Sequence, residues 1–296
     1  MNYGKTGTEQ KLKLLQSRKK KYFSKLSFSF VKLLFVLFLF LGVTGAGMAF
    51  GMINGIIEQA PELDLESIVP AGYATTVYDS AGNLTDTLVQ TGSNREEATY
   101  DELPKDLINA FVAIEDARFW QHNGIDLRSI ARAVWGIVTG EYSGGASTIT
   151  QQLIKNNVLG GGNEDNWGDR IERKIQEQYL ALQLDKSMSK ELIITNYLNT
   201  INLGNNTLGV KVAAKRYFNK DVSDLTLSEC TVLAGITQNP SRLNPISGRE
   251  ANEARRRIIL QNMVDQGYIT PAQQEEALAD DVYDRIQDVD LLTKEN

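Results

Sequence analysis

In the stretch I-E-D-A-R-F-W-Q-H-N-G, Glu115 and Asp116 stand side by side, followed by Arg118, Phe119 and the chain's one histidine, His122. Leu107, Phe111 and Ile114 recur at helical spacing just before it, so Glu115 falls at the end of a buried stripe. A carboxylate there is half buried, the setting that prepares a general base. The same pair also reads as two solvated acids at a helix end. Arg118 reads either as an anion-steering group or as a partner of Asp116, and Phe119 and Trp120 read as core.

A second group follows in G-G-A-S-T-I-T-Q-Q-L-I-K-N, which begins at Gly144. Two glycines permit a tight backbone, Ser147 is the expected cap of a helix, and Thr148, Gln152 and Lys155 share one face of it. A helix start with free N–H groups, hydroxyls and a lysine can cradle a phosphate, although the pattern is no Walker motif and an ordinary capped polar helix would look the same. The third group is Arg173, Lys174 and Glu177. Spaced at i and i+4, Arg173 and Glu177 would form a surface ion pair.

The remaining residues exclude other chemistry. One cysteine, Cys230, rules out an intramolecular disulfide, and one histidine rules out a multi-histidine zinc site. No serine sits in a G-x-S-x-G context. What is left is carboxylate chemistry on an anionic or sugar substrate.

The elements that would position these groups are mainly helical. Thr226 with Glu229, and Thr270 with Pro271 and Gln273, mark two helix starts, and I-E-R-K-I-Q-E-Q-Y-L-A-L-Q-L and E-A-R-R-R-I-I-L-Q-N-M-V carry helical spacing between and around them. A weak alternation about D-S-A-G-N predicts one short β-hairpin. Residues 1–32 hold nine lysines or arginines against one acid, Glu9, although the whole chain of 296 residues has a formal charge of −6. Residues 33–57 carry no charge, and a bilayer core needs roughly twenty apolar residues as a helix. The expected layout is a basic cytoplasmic tail (1–32), a transmembrane helix (33–57), an extended linker with the hairpin (58–100), a catalytic domain (101–280) and a polar tail (281–296). Basic residues before the span place the N-terminus in the cytoplasm and the domain on the outer face of the plasma membrane. In I-D-L-R-S-I-A-R-A-V-W-G-I-V-T-G, Ile130, Val134, Trp135, Ile137 and Val138 suit either a helix on a membrane surface or a core-facing one.

Taken in order, the three groups, with Tyr197-Leu198-Asn199 and the Arg255-Arg256 region before Ile259-Leu260, resemble the peptidoglycan glycosyltransferases of glycosyltransferase family 51. That family occurs as single-domain enzymes and as the N-terminal module of class A penicillin-binding proteins. The resemblance implies a lysozyme-like helical lobe with a smaller membrane-apposed lobe. It also implies polymerisation of lipid II into β-1,4-linked glycan strands with inversion at the MurNAc C1 and release of undecaprenyl pyrophosphate. Glu115 corresponds to the general base and Glu177 to the family's second essential glutamate. Arg118, Lys155 and Arg173 correspond to cations that neutralise pyrophosphate. Asp116, Ser147, Thr148 and Gln152 would shape the substrate site, while Phe119, His122 and Gly124 support it. A divalent cation, Mg or Mn, near the pyrophosphate is the one cofactor implied. The implied partners are lipid II, the growing glycan strand, the bilayer and proteins of cell-wall synthesis or division, with no nucleic acid. Three departures stand out: Thr195 where the family's fourth motif has glutamate, a long glycine-rich L-G-G-G-N-E-D-N-W-G-D before the third motif, and no transpeptidase motifs in the sequence. The rival functions are a lysozyme-like hydrolase and an inactive lipid II-binding scaffold.

Overall fold

The computed structural model describes residues 4–69, 75–82, 84–88, 95–141, 145–162 and 164–287. Gly144, residue 163 of the glycine-rich stretch and residues 288–296 of the expected tail lie outside the described residues. The chain divides into two units, residues 1–59 and 60–296.

The first unit is one helix, α1 (Lys5–Glu58), so the basic segment and the apolar segment are a single element. Its stretch Phe28–Glu58 is long and apolar enough to cross a membrane. At 1.5 Å per residue it extends about 46 Å, against about 30 Å of hydrocarbon.

In the second unit a short 3₁₀ turn is followed by a hairpin of β1 (Thr75–Tyr78) and β2 (Leu84–Leu88), antiparallel as the alternation predicts. Helices follow: α2 (Lys105–Glu115), α3 (Leu127–Thr139), α4 (Ile149–Asn157), α5 (Trp167–Ser187), α6 (Lys190–Thr200), α7 (Val210–Phe218), α8 (Leu227–Ile236), α9 (Arg249–Asp265) and α10 (Pro271–Ala279). The predicted capping boxes at Thr226 and Thr270 both form, with Pro271 in the first turn of α10. Helix α8 is mostly apolar with no polar face and is buried from Ser228 to Ile236, its one acid, Glu229, being paired with Lys220 and Arg285. It packs against α2 and α9, while α4 packs against α5 and α6. Helix α2, which ends at Glu115, and helix α4, which follows Thr148, are thus each wedged between two others.

Two boundaries differ from expectation. The linker is docked at Glu66–Ile68, a short 3₁₀ turn whose Ile68 is fully buried and whose Ile68 carbonyl accepts a hydrogen bond from the Asn157 amide at 2.6 Å. Ala98 is fastened to Asn199 through both its N–H and its carbonyl. At the other end, Val282 and Tyr283 are buried, and the Tyr283 hydroxyl donates to Asn252 Oδ1 at 2.5 Å. A single apolar residue or pair within a polar stretch is enough to anchor it when a core face is open.

Candidate active site

Helix α2 ends at Glu115 because Asp116 leaves helical geometry, at φ −158° and ψ 73°. That break sends the two acids in different directions. Asp116 turns inward: its carboxylate accepts the N–H of Ile149, the first residue of α4, at 3.0 Å, and meets His122 Nε2 at 2.8 Å. An acid at a helix start is favoured by the unpaired N–H groups there. Asp116 therefore joins the end of α2 to the start of α4, and His122 braces it.

Glu115 faces a cleft of about 670 Å³ whose lining includes Arg118, Ser147, Gln152, Gln238 and Arg255. Its carboxylate has three donors. Gln152 Nε2 approaches Oε2 at 3.0 Å, while the Thr237 hydroxyl at 2.5 Å and Arg255 Nη2 at 3.3 Å approach Oε1. Behind Gln152, the Tyr197 hydroxyl donates to the amide oxygen at 3.2 Å. Tyr197 is fully buried, and burial together with the negative charges of Glu115 and Asp116 pushes its phenol well above the usual range, so it stays a donor. Gln152, expected among the substrate contacts, thus holds the carboxylate.

The start of α4 differs by one residue from expectation. Thr148, not Ser147, is the cap: its hydroxyl accepts the Gln151 N–H and donates to the Gly124 carbonyl at 2.6 Å. Gly124 has φ +84°, and a Cβ there would lie 2.2 Å from the Ala181 carbonyl oxygen, so only glycine fits. Ser147 is left free to accept from the Lys174 ammonium at 3.0 Å.

Lys174 and Arg173 both donate to Glu177, which is buried at 1% exposure. Glu177 therefore orients the two cations from within the fold. Arg173 Nε also donates to Glu164 of the glycine-rich stretch at 2.7 Å. Burial, then the charges of Arg173 and Lys155, lower the Lys174 ammonium to about 8. Lys155 is lowered too, first by burial and then by Arg173, with Glu115 and Glu164 opposing. Lys155, Arg173 and Lys174 thus form one cluster of positive charge, of which Lys155 interacts with Glu115 and Lys174 reaches the cleft through Ser147, although none of the three lines the cleft itself. Both oxygens of Glu177 are engaged by cations, and among the described residues no three His, Cys, Asp or Glu side chains form a ligand set.

Arg118 pairs with Asp126 at 2.6 Å rather than with Asp116. Asp126 caps α3 through the N–H groups of Arg128 and Ser129. Its burial would raise the carboxyl, yet the hydrogen bonds from Arg118 and Ser129 hold it at about 2. Phe119 is fully buried, edge-on to Trp120 at 5.0 Å and beneath the Lys190 ammonium at 4.6 Å. Thr195 is buried on α6 and donates to the Glu191 carbonyl of its own helix at 2.7 Å, so this departure from the motif leaves no unpaired hydroxyl.

Thr237 and Lys174 were not singled out as site residues from the sequence. Lys174 carried a signal in its place beside Arg173. Thr237 carried none, since it meets Glu115 across 122 positions of sequence.

A family model described as Transglycosylase matches residues 81–264. Penicillin-binding protein 1A of Clostridium perfringens is 42% identical over 261 residues, covering 84% of this chain and 37% of that protein. Penicillin-binding protein 1A of Escherichia coli is 37% identical over 246 residues, covering 82% of this chain and 28% of that protein. A crystal structure of penicillin-binding protein 1A from Haemophilus influenzae aligns at a TM-score of 0.37 and 24% identity, covering 72% of this chain and 21% of that one. The chain spans roughly a third of the length of these curated relatives. It belongs to the transglycosylase family, the peptidoglycan glycosyltransferases of glycosyltransferase family 51.

Proposed function

We propose that the chain polymerises lipid II into β-1,4 glycan strands. Glu115 removes the proton from the 4-hydroxyl of the acceptor's GlcNAc, that oxygen attacks C1 of the donor MurNAc from the opposite face, and undecaprenyl pyrophosphate leaves. The observation that carries this reading is Glu115 in the cleft with the cation cluster beside it: Lys155 acts on the charge of Glu115, and Lys174 donates to Ser147 of the cleft wall. Departure of a pyrophosphate concentrates negative charge, and fixed cations in a partly dry site stabilise it strongly. A neutral sugar leaving group has no such need.

The hydrolase alternative calls for two carboxyl groups working across one bond. Besides Glu115, the acids lining the cleft are Asp116 and Asp126. Asp116 is committed to His122 and the start of α4, and Asp126 to Arg118 and the start of α3. That favours transfer over hydrolysis.

The membrane assignments belong to the same proposal. The basic end of α1 lies in the cytoplasm, the domain works on the outer face, and the bilayer covers the apolar residues of α3. Trp135, Ile137 and Val138 are 69%, 68% and 75% exposed, and Gly136 is the one buried residue of that helix. Exposed apolar residues in such a row mark a contact surface. The growing strand and proteins of wall synthesis or division are the proposed partners.

The test supplies the full chain in detergent with lipid II in one reaction and with finished glycan strands in another. Polymer from lipid II, with the finished strands left whole, supports the transferase. Shortening of finished strands without polymer would replace it with the hydrolase.

A further inference from the structure

An ionised carboxylate offers about four lone-pair directions, two on each oxygen. At Glu115, among the described residues, Oε1 receives two donors, the Thr237 hydroxyl and Arg255 Nη2, whereas Oε2 receives one, Gln152 Nε2. One direction therefore stays open, and it is on the oxygen that faces Gln152.

Three features hold that asymmetry. Thr237 directly follows α8, whose burial fixes the backbone from which the hydroxyl projects. The hydroxyl has one proton and two acceptors, Glu115 at 2.5 Å and the Ala234 carbonyl at 3.1 Å. The shorter, charge-assisted bond to Glu115 takes it. Finally, Gln152 cannot reverse its amide, because Tyr197 donates to the amide oxygen and a reversed amide would set that oxygen against the carboxylate.

We infer that the acceptor hydroxyl delivers its proton to Glu115 Oε2, and that Thr237 is a positioning residue that commits Oε1 and so selects the working oxygen. This rests on the reading of Glu115 as general base. In the step, the acceptor O–H bond breaks with its proton passing to Oε2 while the O–C1 bond forms. The bond from C1 to the pyrophosphate oxygen breaks with its electron pair leaving on the pyrophosphate. Thr237 and Arg255 touch neither reacting atom.

The experiment measures lipid II polymerisation by the full chain, as kcat, KM and a pH profile of kcat/KM, for the parent, Thr237→Val, Thr237→Ser and Glu115→Gln. Removing a donor from a carboxylate disfavours its charged form. Thr237→Val is expected to lower kcat about ten- to a hundredfold, to leave KM within about twofold of the parent's, and to move the acid limb to higher pH. Thr237→Ser is expected to restore both kcat and the limb. If Thr237→Val fails to fold, Thr237→Ala is read in the same way. An unchanged kcat and acid limb in the variant without the hydroxyl, or a loss that serine does not restore, overturns the inference. Parent-like polymerisation by Glu115→Gln overturns the base assignment itself. An inactive Glu115→Gln beside a parent-like Thr237→Val removes only the role of Thr237.

Discussion

At Lys174, burial and the charges of Arg173 and Lys155 bring the ammonium down to about 8, within reach of ordinary assay conditions. In the proposed reaction its charged form is the one that would meet the pyrophosphate. As pH rises through 8 the free enzyme loses that charge, so kcat/KM, which reports the free enzyme, is expected to fall on the alkaline side from about pH 8. An arginine keeps its charge throughout. Lys174→Arg should therefore hold kcat/KM level past pH 8. An alkaline limb in the same place for both proteins would remove Lys174 from the phosphate site. The sequence shows Lys174 beside Arg173, but not the burial and the charge of Lys155 on another helix that add to the effect of Arg173 in lowering its affinity for a proton. Arg118 makes the same point. Its two candidate roles were an anion contact and a pair with Asp116, and the chain fold brings it to Asp126.

Among the elements, the start of α4 is where most of the site is tied together. Asp116 accepts its first N–H, Thr148 caps it, and the Thr148 hydroxyl reaches the Gly124 carbonyl. Gly124 in turn packs on the Ala181 carbonyl of α5 at a distance that leaves no room for a side chain. Gly124→Ala is expected to cost on the order of 3 kcal/mol, from the left-handed backbone and the displaced helix together. Thermal unfolding should register this as a clear drop in Tm, and a parent-like Tm would mean that the contact with α5 is loose. Helix identity was legible in the sequence because caps and apolar spacing are local: Thr226, Thr270 and the stripe of α2 all appear where the residues say. The choice between Ser147 and Thr148 was not legible, since both residue types cap well. What decides it is Gly124 on one side and Lys174 on the other. Thr237 and Arg255 were beyond local reading for the same reason. They reach Glu115 only because α8 and α9 pack against α2.

For the whole molecule, the proposal joins a membrane-spanning α1 to a domain whose α3 keeps its apolar residues exposed. In vesicles, a chain retaining Trp135 as its one tryptophan, with Trp120 and Trp167 changed to phenylalanine, is expected to be quenched by lipids brominated in the acyl chain. Unquenched emission would return α3 to solvent. The sequence suggested both a membrane-surface helix and a core-facing one, and only the packed domain shows that no core lies under Trp135, Ile137 or Val138. The account as a whole turns on Glu115. The most direct test is the single-turnover release of undecaprenyl pyrophosphate from lipid II by the parent and by Glu115→Gln, with lipid II binding measured alongside. The account predicts a loss on the order of a thousandfold with binding retained, in line with removal of a general base. A Glu115→Gln rate within about tenfold of the parent would contradict it, since so small a loss falls below what a general base contributes.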